Sequence, residues 1–119
     1  MSEEELPPWI KEQVSRLHQI QQNLQAIMMK KHQIEQEISE TDKAIEEIKK
    51  IDEDNKIYKR YNTFLIKVKR ENILKELKEK KDTLNIRMEV VEKQEKRVSD
   101  NLKEVENKII KMRTLLDND

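Results

Sequence analysis

Residues 10–48 and 74–116 each form an unbroken row of positions spaced alternately three and four apart. The first row has nine apolar residues in twelve positions: Ile10, Leu17, Ile20, Leu24, Ile27, Ile34, Ile38, Ile45 and Ile48. The second, from Leu74 to Leu116, has eleven in thirteen, with Lys81 and Glu95 the exceptions. With 34% of the chain apolar, chance would place about four in each row. This spacing keeps one narrow stripe of a helix apolar along its length. Two long helices paired through their stripes are therefore expected, with a different kind of element between them.

Composition agrees with a seam and disagrees with a compact core. Charged residues make up 42% of the chain, aromatics 3%, and glycine is absent. A globular interior needs more apolar volume, whereas a coiled-coil seam needs about two residues in seven. For about the first eight and last three residues, which are acidic and outside both rows, the sequence leaves order and disorder open. The 25 basic and 25 acidic side chains are interspersed and cancel, which argues against nucleic acid or an anionic membrane as the main partner. Without cysteine there are no disulfides, thiol catalysis or sulfur-bound metals. No apolar run approaches the ~20 residues of a membrane span and the acidic start is unlike a signal peptide, so a cytoplasmic location is expected.

The elements can be placed within one domain over residues 1–119. Pro7 and Pro8 suit a helix start, and Glu3–Glu5 suit its positive end. Nothing breaks this first helix until about Lys50, a length of ~60 Å. Asp52, Glu53, Asp54 and Asn55 then form a stop. Over residues 57–69 the period changes to two: Phe64, Ile66 and Val68 alternate with Leu65, Lys67 and Lys69. Asn62 is the best residue for a left-handed turn position in a chain without glycine, so a β-hairpin is expected here. A second helix over 70–116, ~70 Å long, completes a mainly α fold: an antiparallel two-helix coiled coil with a β-hairpin at its bend.

Pairing Ile48 with Leu74 sets a register that brings Leu24 to Val98, Leu17 to Val105 and Ile10 to Met112. Thr41 then faces Lys81, and Lys31 and Glu95 lie about one layer apart. These two either pair, fixing the register, or reach solvent separately. The isolated hairpin would be marginal in water with one face apolar, so strands from other chains are expected to complete it.

No catalytic constellation is present, and enzyme activity is not expected. His18 and His32, the two histidines, are separated by fourteen residues of one helix, ~20 Å, and cannot share a metal. The carboxylates alternate with lysines at helical spacing, as on a solvated face. Without glycine there is no phosphate-cradling loop. No cofactor is implied. The helix tips, however, carry more apolar surface than a seam requires: Trp9, Ile10, Val14 and Leu17 on one helix, and Ile109, Ile110, Met112, Leu115 and Leu116 on the other. Either this is a broad cap or a contact with a neighbouring chain, or it is a sticky patch for exposed hydrophobic segments of other proteins.

Ile57-Tyr58-Lys59-Arg60-Tyr61-Asn62-Thr63-Phe64-Leu65-Ile66-Lys67 resembles the β-hairpin of the prefoldin β-subunit family, in which an apolar-Tyr-Lys strand turns into a Leu/Val/Ile strand. Leu77-Lys78-Glu79-Lys80 with Leu84, and Lys93-Gln94-Glu95-Lys96, resemble that family's second helix. The family usually has glycine where this chain has Asn62. The resemblance covers about residues 7–116. It implies an ATP-independent holding chaperone subunit of a hetero-hexamer with two α-class and four β-class subunits. Hairpins would assemble into a β-barrel platform through Ile57, Tyr58, Tyr61, Phe64, Ile66 and Val68. The tips would hold unfolded polypeptides and pass them to a group II chaperonin. The α class has two hairpins per subunit and this chain has room for one, so it is β-like; its shortness after the second helix resembles archaeal members. The resemblance favours client capture at the nine tip residues. The alternatives are a coiled-coil scaffold or adaptor for a folded partner, and a nucleic-acid-binding coiled coil.

Overall fold

The computed structural model describes residues 6–117. Four elements follow one another: helix α1 (Pro8–Lys50), strand β1 (Ile57–Tyr61), strand β2 (Phe64–Val68) and helix α2 (Arg70–Asp117). The chain groups into two compact units. A terminal unit joins the residues up to Lys31 with those from Val90 onward, and a hairpin unit comprises His32–Glu89.

In the terminal unit the Pro7 carbonyl accepts from the amides of Ile10 at 3.0 Å and Lys11 at 3.1 Å. Pro7 thus occupies the cap position and Pro8 the first helical one, where a missing N–H costs nothing. The sequence left order open as far as about residue 8, and Leu6 is only 6% exposed. It borders a hollow of about 170 Å³ together with Arg113, Leu116 and Asp117. Removing its apolar surface from water offsets the entropy of ordering this end. Asp117, in the other segment left open, closes α2. Glu3–Glu5 lie outside the described residues.

Ile20, Val105 and Ile109 form the centre of the terminal unit's core, with Val14, Leu17, Val98 and Leu102 against it. Lys31 Nζ donates to Glu95 Oε1 at 3.2 Å, so the two polar seam residues pair. Partners fall along α1 as they rise along α2, and the segments are therefore antiparallel. Both side chains of this ion pair remain about 30% exposed, so it contributes about 0–1 kcal/mol and acts chiefly on register.

In the hairpin unit Ile34, Ile45, Ile73 and Leu84 are buried. Thr41 is 3% exposed, and its hydroxyl donates to the Glu37 carbonyl at 2.7 Å, so the buried polar group is satisfied within its own helix. Lys81, expected opposite Thr41, directs its ammonium to Asp42 Oδ1 at 2.7 Å. That hydrogen bond, reinforced by the Asp42 charge, holds the Lys81 pKa above its ordinary 10.5.

Helix α1 stops where expected, and Asn55 N–H closes a turn on the Asp52 carbonyl at 3.0 Å. Its last carbonyls are satisfied from an unexpected source. Arg70, the first residue of α2, donates from Nε to the Ile48 carbonyl at 3.1 Å and from Nη2 to the Lys49 carbonyl at 2.9 Å. A cation is unfavourable at the start of its own helix but favourable at the end of another. Between the helices β1 pairs antiparallel with β2, with Ile57 opposite Val68, Lys59 opposite Ile66 and Tyr61 opposite Phe64. Asn62 adopts φ 53°, the left-handed conformation expected of it.

Two outcomes test this account. Arg70→Met leaves two carbonyls without their charged donor and should lower the unfolding free energy by about 1–3 kcal/mol in urea titration. Asn62→Val should cost about 1–2 kcal/mol in the same assay, because a β-branched side chain opposes positive φ, whereas Asn62→Gly should be neutral or stabilising.

Candidate functional site

Apart from Met28, Met29, Ile86 and Val90 on the outer helix faces, the exposed large apolar residues fall on two surfaces that the seam does not consume. On the terminal unit, the nine residues expected at the tips divide by exposure. Ile10 is 0% and Ile109 7% exposed, so these two belong to the interior and present no surface to a ligand in this conformation. Val14 and Leu17 are half-buried against the core, and Met112 and Leu116 are half-buried as well. Trp9, Ile110 and Leu115 remain open, at 44%, 61% and 67% exposure. The division follows from helical geometry. Each of the three stands one residue from a seam position, at 10, 109 or 116, and one residue is ~100° around the axis. The seam is complete without them, so their exposure leaves apolar surface uncompensated.

The second surface is the hairpin. Paired residues share a face, so Ile57, Lys59, Tyr61, Phe64, Ile66 and Val68 lie on one side. Tyr58, Arg60, Leu65 and Lys67 lie on the other. Tyr58 was expected to serve assembly with the first group, but alternation along β1 places it on the opposite face beside Leu65. Strand alternation in the sequence contains this distinction, and it also makes Leu65 a surface residue. Ile57 and Val68 are half-buried, whereas Phe64 is 71% and Leu65 66% exposed. The first face is anchored by Lys59, which forms an ion pair with Glu76 of α2 and stands 5.0 Å from the centre of the Tyr61 ring. The bond to Glu76, and then that to Tyr61, keep the Lys59 pKa above 10.5, so the side chain is a cation at neutral pH.

Among the described residues no three His, Asp or Glu side chains stand where they could jointly hold a metal ion. His18 and His32 are exposed on α1. No described helix is long and apolar enough to cross a membrane. Sequence reasoning missed three further features. Met28 and Met29 are exposed at 55% and 68% beside the α1 seam, detectable as apolar residues out of phase with it. Gln13 occupies a seam position, and its Oε1 is buried without a hydrogen-bond partner among the described residues. Arg70 and Lys59 act across elements, through partners that no local spacing announces.

Comparison with known proteins places this geometry. Residues 11–114 match the family model described as prefoldin subunit. The chain is 37% identical over 105 residues to the prefoldin subunit beta of Archaeoglobus fulgidus, covering 88% of this chain and 90% of that protein. It is 38% identical to the corresponding subunit of Thermococcus onnurineus, covering 87% and 90%. The crystal structure of the prefoldin beta subunit from Thermococcus strain KS-1 superposes with a TM-score of 0.83 at 34% identity, over 87% of this chain and 90% of that one. A second structure from that strain, of the beta2 subunit, shares the fold with a TM-score of 0.68 at 19% identity, over 76% of this chain and 97% of that one. Two long helices around a single hairpin, with sequence similarity along nearly their whole length, show that the chain belongs to the prefoldin subunit family of chaperones, in its β class.

Proposed function

We propose that this chain is an ATP-independent holding subunit that captures unfolded polypeptides on the exposed tip residues of its terminal unit and delivers them to a group II chaperonin. Trp9, Ile110 and Leu115 carry the reading: they are open apolar side chains beside a seam already closed by Ile10, Val105 and Ile109. Val14, Leu17, Met112 and Leu116 supply the half-buried margin of the same surface. A fully exposed group of this kind costs roughly 1.5–3 kcal/mol relative to burial, and these three, 44–67% exposed, keep about half of that, so a monomer without an apolar ligand gains nothing from keeping them. A client's exposed hydrophobic segments would supply the missing cover. Weak contacts repeated on several subunits add avidity without demanding a particular sequence.

The hairpin is the assembly element in this reading. Phe64, Ile66, Tyr61 and the half-buried Ile57 and Val68 offer an apolar face, and both strands have a free edge. Joining hairpins from α-class subunits closes those edges in a shared β-barrel and forms a hetero-hexamer of two α-class and four β-class chains. The Lys59–Glu76 ion pair would hold the strands against α2 while they dock. The work is done in the cytoplasm, with no cofactor.

Substituting all three open tip residues, Trp9→Ser, Ile110→Ser and Leu115→Ser, should leave assembly with an α-class partner intact. Suppression of aggregation of a chemically denatured client, followed by light scattering, should fall several-fold. Undiminished protection would sink the tip assignment and favour a scaffold for a folded partner. Phe64→Lys with Ile66→Lys should instead abolish the hetero-oligomer on size-exclusion chromatography while leaving the helical circular dichroism signal unchanged. Survival of the oligomer would remove the hairpin from the interface.

A further inference from the structure

Residues 55–70 contain six cations, Lys56, Lys59, Arg60, Lys67, Lys69 and Arg70, and no carboxylate, in a chain whose net charge is zero. Two have defined tasks: Lys59 pairs with Glu76, and Arg70 caps the α1 carbonyls. Lys56, Arg60, Lys67 and Lys69 are exposed. At the foot of the hairpin Glu53, Asp54 and Glu71 border the same hollow as Lys56, Lys67 and Lys69, so compensation there is partial. Nearer the turn, Arg60 Nε donates to the Asn62 carbonyl at 3.2 Å, a bond that leaves the guanidinium charge in place.

Register gives this charge a direction. Arg60 on β1 and Lys67 on β2 lie on the same face, with Tyr58 and Leu65, and each strand of this two-stranded sheet is an edge. A strand added at the β2 edge therefore meets Phe64, Ile66 and Val68 on one face and Lys67 beside Leu65 on the other; at the β1 edge it meets Arg60 beside Tyr58, while the cation of the first face, Lys59, is already paired with Glu76. A second copy of this chain added with its faces matched would bring its own Arg60 and Lys67 to the same face, and like charges on neighbouring strands destabilise pairing.

We propose that the cationic face selects the hairpin's partner. It accepts an edge strand with carboxylates beside Arg60 and Lys67 and apolar groups on the opposite face, and it rejects further copies of this chain. The inference rests on the reading of the hairpin as the assembly element. Attraction to one partner and repulsion of its own kind act together, as in other specific interfaces. A single-stranded nucleic acid is the other polymer that rewards cations among aromatics. Such a platform needs rings and phosphate-tracking cations on one surface. Here Tyr58 is the one ring beside Arg60 and Lys67, while Tyr61 and Phe64 share their face with Lys59, whose charge is paired with Glu76; neither face joins several rings to unpaired cations, which favours the protein strand.

The test mixes wild-type chain with the Arg60→Glu/Lys67→Glu variant and measures mass by sedimentation, with helicity checked by circular dichroism. In low salt the mixture should associate at least about fivefold more tightly than wild type alone, since each cross-strand pair changes from repulsive to attractive. High salt should narrow the gap by screening both effects. A mixture no tighter than wild type in low salt overturns the proposal. So does tight binding of a single-stranded oligonucleotide to the wild-type hairpin that the double variant loses while its mixing behaviour stays flat. The Phe64→Lys/Ile66→Lys chain separates the two levels. If it still assembles with an α-class subunit, the hairpin reading has failed; if it does not, and the charge variants mix without preference, only the charge selection has failed.

Discussion

Burial of a narrow apolar stripe between two antiparallel helix segments is the interaction on which everything else in this chain depends. In each unit the seam positions are buried or half-buried, and the charged majority is left on the outer faces. Each well-buried Ile, Leu or Val contributes roughly 1.5–3 kcal/mol, whereas a part-exposed ion pair such as Lys31–Glu95 contributes about 0–1. Cohesion therefore comes from the seam, and the polar layers decide which register the seam adopts. The same arithmetic makes apolar residues outside the seam conspicuous: Trp9, Ile110 and Leu115 in the terminal unit, and the faces of the hairpin.

Where the seam ends, charge takes over as the organiser. The close of α1 has carbonyls that its own helix cannot satisfy, and Arg70 supplies two donors from the start of α2. This ties the end of one helix to the beginning of the next across the whole hairpin insertion. Lys59 ties the first strand to Glu76 in the same region. Neither contact adds much apolar burial. Both restrict how the strands leave the helices, and the edge-to-edge assembly proposed for the hairpin would depend on that direction more than on additional stability.

The proposed chaperone role uses the two kinds of leftover surface differently. The tip residues offer apolar area without hydrogen-bonding demands, which suits ligands of many sequences. The hairpin offers unpaired backbone edges together with a defined pattern of faces, which suits a small set of strands. One molecule thus combines an unselective surface with a selective one, and Asn62 at φ 53° keeps the selective one tight without glycine.

The sequence by itself determined the elements, their ends to within a residue or two, the antiparallel pairing and the left-handed turn at Asn62, and it left open whether Lys31 and Glu95 pair or reach solvent separately. These follow from periodicity and local backbone preference, which act between residues close in the chain or repeat along it. It also located the two apolar surpluses, at residues 9–17 with 109–116 and at residues 57–68. Only the tertiary structure decided which members of each surplus are open. Ile10 and Ile109 are interior while their neighbours Trp9 and Ile110 are not, because exposure depends on how far each side chain is rotated from the partner helix. Leu6 is buried at a hollow that it lines with Arg113, Leu116 and Asp117, and Arg70 and Lys59 find acceptors 17 or more residues away. Such contacts leave no periodic trace. They exist only once the helices have been brought together, so they were invisible until the fold itself supplied the distances.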